Sequence, residues 1–495
     1  MPFLLKLFPE ITIKTRPVRK ELVRCLRANI TNTLRQLDDA VRVINHWDAL
    51  EVRPSETLSR KALDELETAL TRIAGIQQIL VVENAVYRSF EDTAERLVPL
   101  WQNEIAHRRF KVRVKRRGNH DFRSEALERY LGSVLLQAEP TASVDLTHPD
   151  VEVALEIKGE RMSLVTRRTV GLGGYPLGTQ GAALALVSGG YDSPVAAYRM
   201  IRRGLKTHFL FFNLGGPAHE AGVRDQIRHL WQRYSTSHRV NFISVPFESV
   251  VNELMAKIPD GLMGVVLKRM MLRAANRVAA KGRIPVLVTG DAIAQVSSQS
   301  LTNLGLIDAV AERPVLRPLV VSDKQDIIDE ARRIDTARFA ETMPEYCGVI
   351  SKRPNTRAKR QQIEDAETAF DFSVLEQAVE NTLITRVDEL PVHSSTQLNE
   401  IEVVDTPEGL AGKRQYCIID IRHPSERDDA PLNVSDVERL DIPFYELQDK
   451  ARELASDRYY LLYCDQGVMS RMQALHLADQ GLHYFGVYRH ITTQS

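Results

Sequence analysis

Two short stretches of this chain combine residue types that can do chemistry. The first, Ser188-Gly189-Gly190-Tyr191-Asp192-Ser193, follows an apolar run, Ala182 to Val187, and precedes an amphipathic run, Pro194 to Arg203. That order predicts a strand, a glycine turn and a helix start. Adjacent glycines let backbone N–H groups approach a phosphate closely, and the helix beyond adds unpaired amides and the positive end of its dipole. Ser193 suits the N-cap and Pro194 the first helical position. No Lys-Ser or Lys-Thr pair follows at the spacing of a Walker A loop, so the turn does not grip phosphates in that way. The second stretch, Cys464-Asp465-Gln466-Gly467-Val468-Met469-Ser470-Arg471, lies between an apolar strand, Tyr459 to Tyr463, and a helix from about Ser470 to Gln480. A cysteine at a strand end, lined by backbone amides and facing a helix N-terminus, sits where a thiolate is stabilised, and such a sulfur can hold a persulfide. A Cys-x-x-Gly loop is a poor site for burial, so the thiol is expected to be accessible.

The elements around the first stretch alternate in type. From about 182 to 372 the pattern predicts strands Ala183 to Val187, His208 to Asn213, Asn241 to Val245 and Pro285 to Thr289 with helices between them, as in a doubly wound parallel sheet. Ligands of such sheets sit at the carboxyl ends of strands. The first strand ends in the glycine turn and the fourth in Thr289-Gly290-Asp291, so both are expected to face one crevice, with Gln295, Ser297, Ser298, Gln299 and Asn303 as a polar cluster beside it. Lys268, within a helical segment from Val265 to Val278, can add a cation; a solvated helix lysine would look the same.

The six residues 188–193 in this context resemble the SGGxDS PP-loop of ATP pyrophosphatases, which split ATP into AMP and pyrophosphate and leave AMP on an oxygen to be displaced. The resemblance implies adenylation chemistry, with ATP held by Leu186, Val187, Ser188, Gly189, Gly190, Ser193, Lys268, Gly290 and Gln299. A carboxylate beside polyphosphate is repelled unless a cation lies between them, which assigns Asp192 to the magnesium and pyrophosphate region.

Composition limits the remaining choices. A chain of 495 residues is too long for one core, and about three or four domains are expected. No run approaches the ~18 apolar residues that cross a bilayer, and the opening residues lack the pattern of a secretion signal, so a cytoplasmic protein without membrane contact is expected. Cys25, Cys347, Cys417 and Cys464 form no CxxC pair, which argues against a zinc site or a disulfide framework. Cys25 among Leu22, Leu26 and Ile30, and Cys417 within an apolar strand, read as core residues. The 65 basic and 65 acidic residues cancel, but locally Arg108, Arg109, Lys111, Arg113, Lys115, Arg116, Arg117 and Arg123 crowd one segment with Asp121 as the only acid among them. Phe110, Val112 and Val114 alternate with Lys111, Arg113 and Lys115, so a strand here buries one face and presents a basic stripe on the other. RNA or another polyanion is expected on that stripe, at Lys111, Arg113, Lys115, Arg116 and Arg117; a solvated strand face is the other explanation.

The α+β order of residues 64–168, with the basic strand at its centre, resembles a THUMP domain behind a small ferredoxin-like domain (1–63). At the far end, the Cys464 loop resembles the active loop of a rhodanese domain, and Asp420-Ile421-Arg422 matches that family's strand-end Asp-x-Arg; Gly467 and Arg471 then support the loop. Many rhodaneses carry Arg where this chain has Met469, a departure that disfavours small anionic donors such as thiosulfate and favours sulfur from a protein persulfide. The whole order is that of an α/β multidomain protein: ferredoxin-like plus THUMP α+β front half, doubly wound PP-loop domain (169–372), linker (373–411) and small α/β rhodanese domain (412–495). It resembles the tRNA 4-thiouridine synthetase (tRNA sulfurtransferase) family, in which Tyr191 is more often Phe and members with a rhodanese extension carry a cysteine at the position of Cys347, within Pro344-Glu345-Tyr346-Cys347-Gly348-Val349. The resemblance implies ATP-dependent conversion of the uridine at position eight of tRNA to 4-thiouridine, with a persulfide on Cys464 and Cys347 resolving it through a Cys347–Cys464 disulfide. It also implies a cysteine desulfurase as persulfide donor, a thiol reductant, and sulfur delivery to a carrier protein for the thiamine thiazole. Two other readings remain open at this point: an adenylating enzyme of a small metabolite, and a noncatalytic RNA-binding protein with a sulfur-carrier domain.

Overall fold

The structure is a computed structural model that describes residues 2–46, 49–214, 216–341, 343, 353–391, 401–405, 416–422, 424–432, 434, 437–465 and 467–489. The chain forms two compact units, residues 1–179 with 202–204 and 236–238, and the remainder.

In the first unit, strands β1 (Phe3–Leu7), β2 (Arg42–Asn45), β3 (Ala49–Arg53), β4 (Ile76–Val86), β5 (Arg109–Arg117), β6 (Ser143–Val144), β7 (Val151–Lys158) and β8 (Arg161–Val170) make one sheet in the order β2-β3-β1-β4-β8-β7-β5-β6. The long strand β4 pairs antiparallel with β1 along one edge and with β8 along the other. It therefore joins two cores, one around Leu5, Leu26, Ile30, Leu50 and Leu70, the other around Leu97, Phe110, Leu131, Val153 and Leu164. The helix Arg60–Leu70 starts at a Ser59 cap, buries Leu66 and Leu70 in the first core, and runs through the position expected to divide the front half. Beyond Leu7 the chain forms the short helix Pro9–Thr12, which Pro9 can open because its missing N–H is not needed there.

In the second unit, β9 (Ala182–Val187), β10 (Lys206–Asn213), β11 (Asn241–Pro246), β12 (Val286–Val288), β13 (Val315–Leu316) and β14 (Leu383–Arg386) form a sheet in the order β13-β12-β9-β10-β11-β14. All neighbours are parallel except β14, which runs antiparallel to β11. The chain leaves β9 toward β10 on one side and returns to β12 on the other. The topological switch point therefore lies at the carboxyl ends of β9 and β12, where a ligand crevice opens.

A second parallel sheet follows: β15 (Val403–Val404), β16 (Tyr416–Asp420), β17 (Glu438–Asp441), β18 (Tyr459–Tyr463) and β19 (Phe485–Tyr488), ordered β15-β19-β18-β16-β17. Its switch point falls between β16 and β18, whose ends carry Asp420 and Cys464. The two sheets of this unit contribute to one buried apolar cluster, with the helix Phe444–Ala451 packed on Glu248–Lys257 and Val468–Asp479 on Gly216–Tyr234.

One expectation is corrected here. Residues 373–391, expected to be an irregular linker, form the helix Phe372–Glu380 and the strand β14 that completes the six-stranded sheet. Leu375, Ala378 and Val379 share a helix face and bury it, a short periodicity masked by the surrounding charge. Leu375→Ala is accordingly expected to cost about 2–4 kcal/mol in denaturant unfolding; a loss below about 0.5 kcal/mol, the range of ordinary surface changes, would return this stretch to a linker.

Candidate active site

The turn after β9 is shaped by its glycines for different reasons. Gly189 has φ +89°, and a Cβ there would stand 2.4 Å from the Met343 sulfur, so no side chain fits. At Gly190 a Cβ would come no nearer than 4.0 Å to any other group, so packing does not demand glycine; open space at this backbone is what an approaching phosphate requires. The helix begins at Asp192, ahead of the expected start, so Ser193 lies inside the first turn. Its hydroxyl accepts a hydrogen bond from the Ser188 amide at 3.2 Å and closes the turn on itself.

Gly290, after β12, closes the crevice from the other side. A Cβ there would lie 2.9 Å from the Asp192 carbonyl carbon and 3.0 Å from the Ser193 nitrogen. Between the two strand ends is a cavity of about 300 Å³ lined by Leu186, Val187, Ser188, Gly190, Asp192, Ser193, Lys268, Gly290 and Gln299, together with Tyr191, His219, Asp291, Gln295, Arg317, Met343 and Pro354. The expected ATP residues thus come together, apart from Gly189, which faces Met343 and Val223.

Two buried or half-buried carboxylates organise its polar wall. Asp192 accepts hydrogen bonds from Lys324 Nζ at 2.9 and 3.2 Å and from Gln295 Nε2 at 2.9 Å, and the Lys324 ammonium also stands 5.6 Å over the Tyr191 ring. Asp291 accepts from Lys268 Nζ at 2.7 Å, Thr289 Oγ1 at 2.7 Å, Gln299 Nε2 at 3.1 Å and Arg317 Nε at 3.2 Å. Burial works against the Asp291 charge, but the Lys268 ammonium, the hydrogen bonds and Arg317 outweigh it and hold the carboxyl well below the usual carboxylate range. Lys268 and Gln299 are therefore committed to Asp291, and Gln299 also accepts from the Val296 amide at 3.2 Å. Sequence reasoning missed Lys324. It is the first residue of the helix Lys324–Arg333, where a lysine reads as solvated; its position beyond the end of β13, next to β12 in the sheet, is the signal that could have found it.

In the last sheet, Arg422 is almost fully buried and holds two carboxylates. Its Nη2 donates to Asp420 Oδ2 at 2.6 Å and its Nη1 to Asp465 Oδ1 at 2.9 Å, fixing the residue after Cys464 to the end of β16. Cys464 itself is buried, contrary to expectation. Gly467, at φ +70°, turns the chain back so that the Ser470 amide donates to Sγ at 3.3 Å and the Ser470 hydroxyl lies 3.4 Å away. Arg471 is exposed one turn into the helix, whose backbone it joins through Gly467. Arg489, from beyond β19, approaches Gly467, its Nε 3.7 Å from where a Cβ would be, and supplies a cation that no residue within the loop 464–470 carries. Cys347 lies outside the described residues, as does Gln466. Cys417 is buried, which pushes its thiol up to about 11, and the half-buried Cys25 thiol donates to the Leu177 carbonyl at 3.3 Å.

On β5 the alternation holds: Phe110, Val112 and Val114 are buried and Arg113, Lys115 and Arg117 exposed. The acids missing from the segment come from its parallel neighbour β7. Glu152 lies 3.4 Å from Lys111 and Glu156 lies 3.5 Å from Arg117, while Arg116 rests on the Phe122 ring and donates to the His120 carbonyl. Arg113, opposite Ala154, and Lys115 carry no ion pair among the described residues.

The family profile described as "Thiamine biosynthesis protein (ThiI)" matches residues 178–372, and that of the THUMP domain matches residues 87–167. A tRNA sulfurtransferase of Klebsiella pneumoniae (strain 342) is 48% identical over 99% of this chain and 100% of its own length. One from Tolumonas auensis (strain DSM 9187 / NBRC 110442 / TA 4) is 47% identical over the same shares. A solved 4-thiouridine synthetase in complex with RNA and bound ATP superposes with a TM-score of 0.67 at 27% identity, covering 78% of this chain and 99% of that one. A Pyrococcus horikoshii structure with a TM-score of 0.51 at 18% identity shares the fold. Fold, glycine turn and crevice define a PP-loop α/β protein with a THUMP domain in front of it. The chain belongs to the tRNA sulfurtransferase family.

Two outcomes follow from this geometry. Lys324→Met, which leaves Asp192 in the crevice without its cation, is expected to slow ATP-dependent tRNA thiolation on the order of 100-fold or more in single-turnover assays; a near-normal rate would exclude the Asp192–Lys324 pair from the chemistry. Charge reversal at Arg113 and Lys115 together should weaken tRNA binding and flatten its log–log salt dependence by roughly one per lost phosphate contact. An unchanged slope would make β5 a solvated face.

Proposed function

We propose that this protein uses ATP to adenylate O4 of the uridine at position eight of tRNA and replaces that oxygen with persulfide sulfur, giving 4-thiouridine. The observation that carries this reading is that the glycine turn, Asp192 with its Lys324 partner, and the converging end of β12 at Gly290 meet in one cavity. Family membership supports it as well.

A uridine carbonyl oxygen is a very poor leaving group, and adenylation turns it into a phosphate ester that departs as AMP. Within the crevice, the turn 188–190 offers backbone N–H groups to the phosphates, while Lys324 and Asp192 meet the pyrophosphate side. Magnesium, when it enters with ATP, would supply charge neutralisation; a single carboxylate such as Asp192 suits an ion whose other ligands are phosphate oxygens and water. The C-terminal sheet is read as a rhodanese domain that carries sulfur on Cys464, supported by Asp420, Arg422 and the amide of Ser470. The terminal sulfur of the Cys464 persulfide attacks C4 and AMP leaves; the Cys347 thiolate then attacks the Cys464 sulfur, forming the Cys347–Cys464 disulfide and releasing the thiolated base. A thiol reductant restores both cysteines. The persulfide comes from a cysteine desulfurase, and the same sulfur can pass to a carrier protein for the thiamine thiazole. Within this reading the chain divides into ferredoxin-like, THUMP, PP-loop and rhodanese parts and acts in the cytoplasm. No described helix is long and apolar enough to cross a membrane.

Detection of tRNA-dependent AMP release separates this reading from a metabolite-adenylating enzyme and from a noncatalytic RNA-binding protein. The sulfur relay is tested by non-reducing peptide mapping after turnover with limiting reductant. A Cys347–Cys464 link is expected only with ATP, tRNA and a sulfur donor all present. Cys464→Ala should abolish thiolation, whereas Cys347→Ala should still load persulfide and adenylate tRNA but fail to turn over. Pairing of Cys464 with Cys417, or no disulfide, would sink the relay.

A further inference from the structure

The glycine turn has one property that its own residues do not explain. Two adjacent glycines leave its peptide planes free to rotate, and a carbonyl oxygen rotated toward bound phosphate would set one partial negative charge against another. Its carbonyls are nevertheless held one after another by side chains of a single helix, Gly216–Tyr234. His219 Nε2 lies 3.2 Å from the Ser188 oxygen, and Gln226 Nε2 donates to the Gly189 oxygen at 3.2 Å and the Gly190 oxygen at 3.4 Å. The two residues are seven apart, two turns along one helix face. Both side chains are buried, Gln226 completely.

Burial pushes the His219 imidazole down to about 4, against the opposing pull of the Ser188 carbonyl, so at neutral pH the ring is uncharged. With the carbonyl as its partner, Nε2 is assigned as the nitrogen that bears hydrogen. The edge of the ring against Phe211, with centroids 4.9 Å apart, fixes its orientation. Gln226 Nε2 also reaches the Thr336 oxygen at 3.5 Å, which anchors the amide from a separate element. In a trans peptide the C=O and the following N–H point in opposite directions. Holding the carbonyls of Ser188, Gly189 and Gly190 on the helix side therefore turns the N–H groups of Gly189, Gly190 and Tyr191 the other way.

We propose that His219 and Gln226 are positioning residues that hold the glycine turn in its phosphate-accepting conformation by fixing three successive carbonyl oxygens away from the incoming triphosphate. This rests on the reading of the crevice as the ATP site. Neither residue needs to touch ATP; both act through the backbone and are in place before it arrives.

The test measures ATP binding to the full-length protein by calorimetry, with pyrophosphate and adenosine as competitors. His219→Leu and Gln226→Met, each of which removes a donor at similar volume, are expected to raise the Kd for ATP about tenfold. Pyrophosphate should lose affinity in parallel while adenosine competes as in the wild type. A merely structural defect would weaken all three ligands or lower the bound fraction. His219→Gln, which keeps an N–H near the Nε2 position, should recover most of the loss. The inference is overturned if variants with an unchanged unfolding midpoint bind ATP within twofold of the wild type, or if His219→Gln binds no better than His219→Leu. Failure of the wild type itself to bind ATP would instead overturn the reading of the crevice.

Discussion

The close approach at Gly290 is the constraint on which the rest of the crevice depends. Parallel pairing sets β12 beside β9, but their carboxyl ends can converge only because Gly290 has no side chain to strike Asp192 and Ser193. That contact brings Asp291 and the polar stretch Gln295 to Gln299 against the glycine turn and lets Gln295 reach Asp192. A methyl group at 290 would part the two strand ends, and with them the wall that carries Lys268, Arg317 and Gln299.

Electrostatics then favour an anion in a crevice that contains acids. Asp192 and Asp291 each lie within hydrogen-bond distance of a lysine, and Asp291 meets Arg317 as well. An anion entering this crevice would therefore meet carboxylates already matched by cations. The depressed titration of Asp291 also has a direction for stability: the ionised carboxylate stabilises the fold at neutral pH, and this contribution is lost as the pH falls through its folded-state value.

The C-terminal sheet repeats the same geometric solution with different chemistry. Its switch point presents Asp420 and Cys464, and the buried Arg422 spans from the end of one strand to the loop after the next. Such a guanidinium is costly to bury without partners, and its two carboxylates supply them. The loop it steadies closes over the Cys464 sulfur, which is buried and accepts a hydrogen bond from the Ser470 amide. The sheet shares a buried apolar cluster with the six-stranded sheet, and His476 of the helix Val468–Asp479 stands 3.6 Å from Glu248 at the start of the helix Glu248–Lys257.

Much of this was legible in the chain itself, because it rests on local patterns. An apolar run before Ser188-Gly189-Gly190, the period-two alternation through Phe110, Val112 and Val114, and the strand before Cys464 each name an element and the end of it that matters. The stretch 373–391 was obscured because the helix face made by Leu375, Ala378 and Val379 is only about one turn long, too short a period to stand out in the sequence. What only the tertiary structure decided is which distant groups meet. Lys324 lies 132 residues from Asp192 in sequence, and Arg489 comes to the Gly467 loop from beyond β19. Glu152 and Glu156 neutralise part of a stripe that reads as purely basic within its own segment. Lys268 and Gln299, which sequence could assign only to the crevice, turn out to serve Asp291. The reason is physical: secondary structure follows from periodicities a few residues long, whereas the pairing of charges and the close approach of backbones depend on strand order and register, which bring together residues with no local pattern in common.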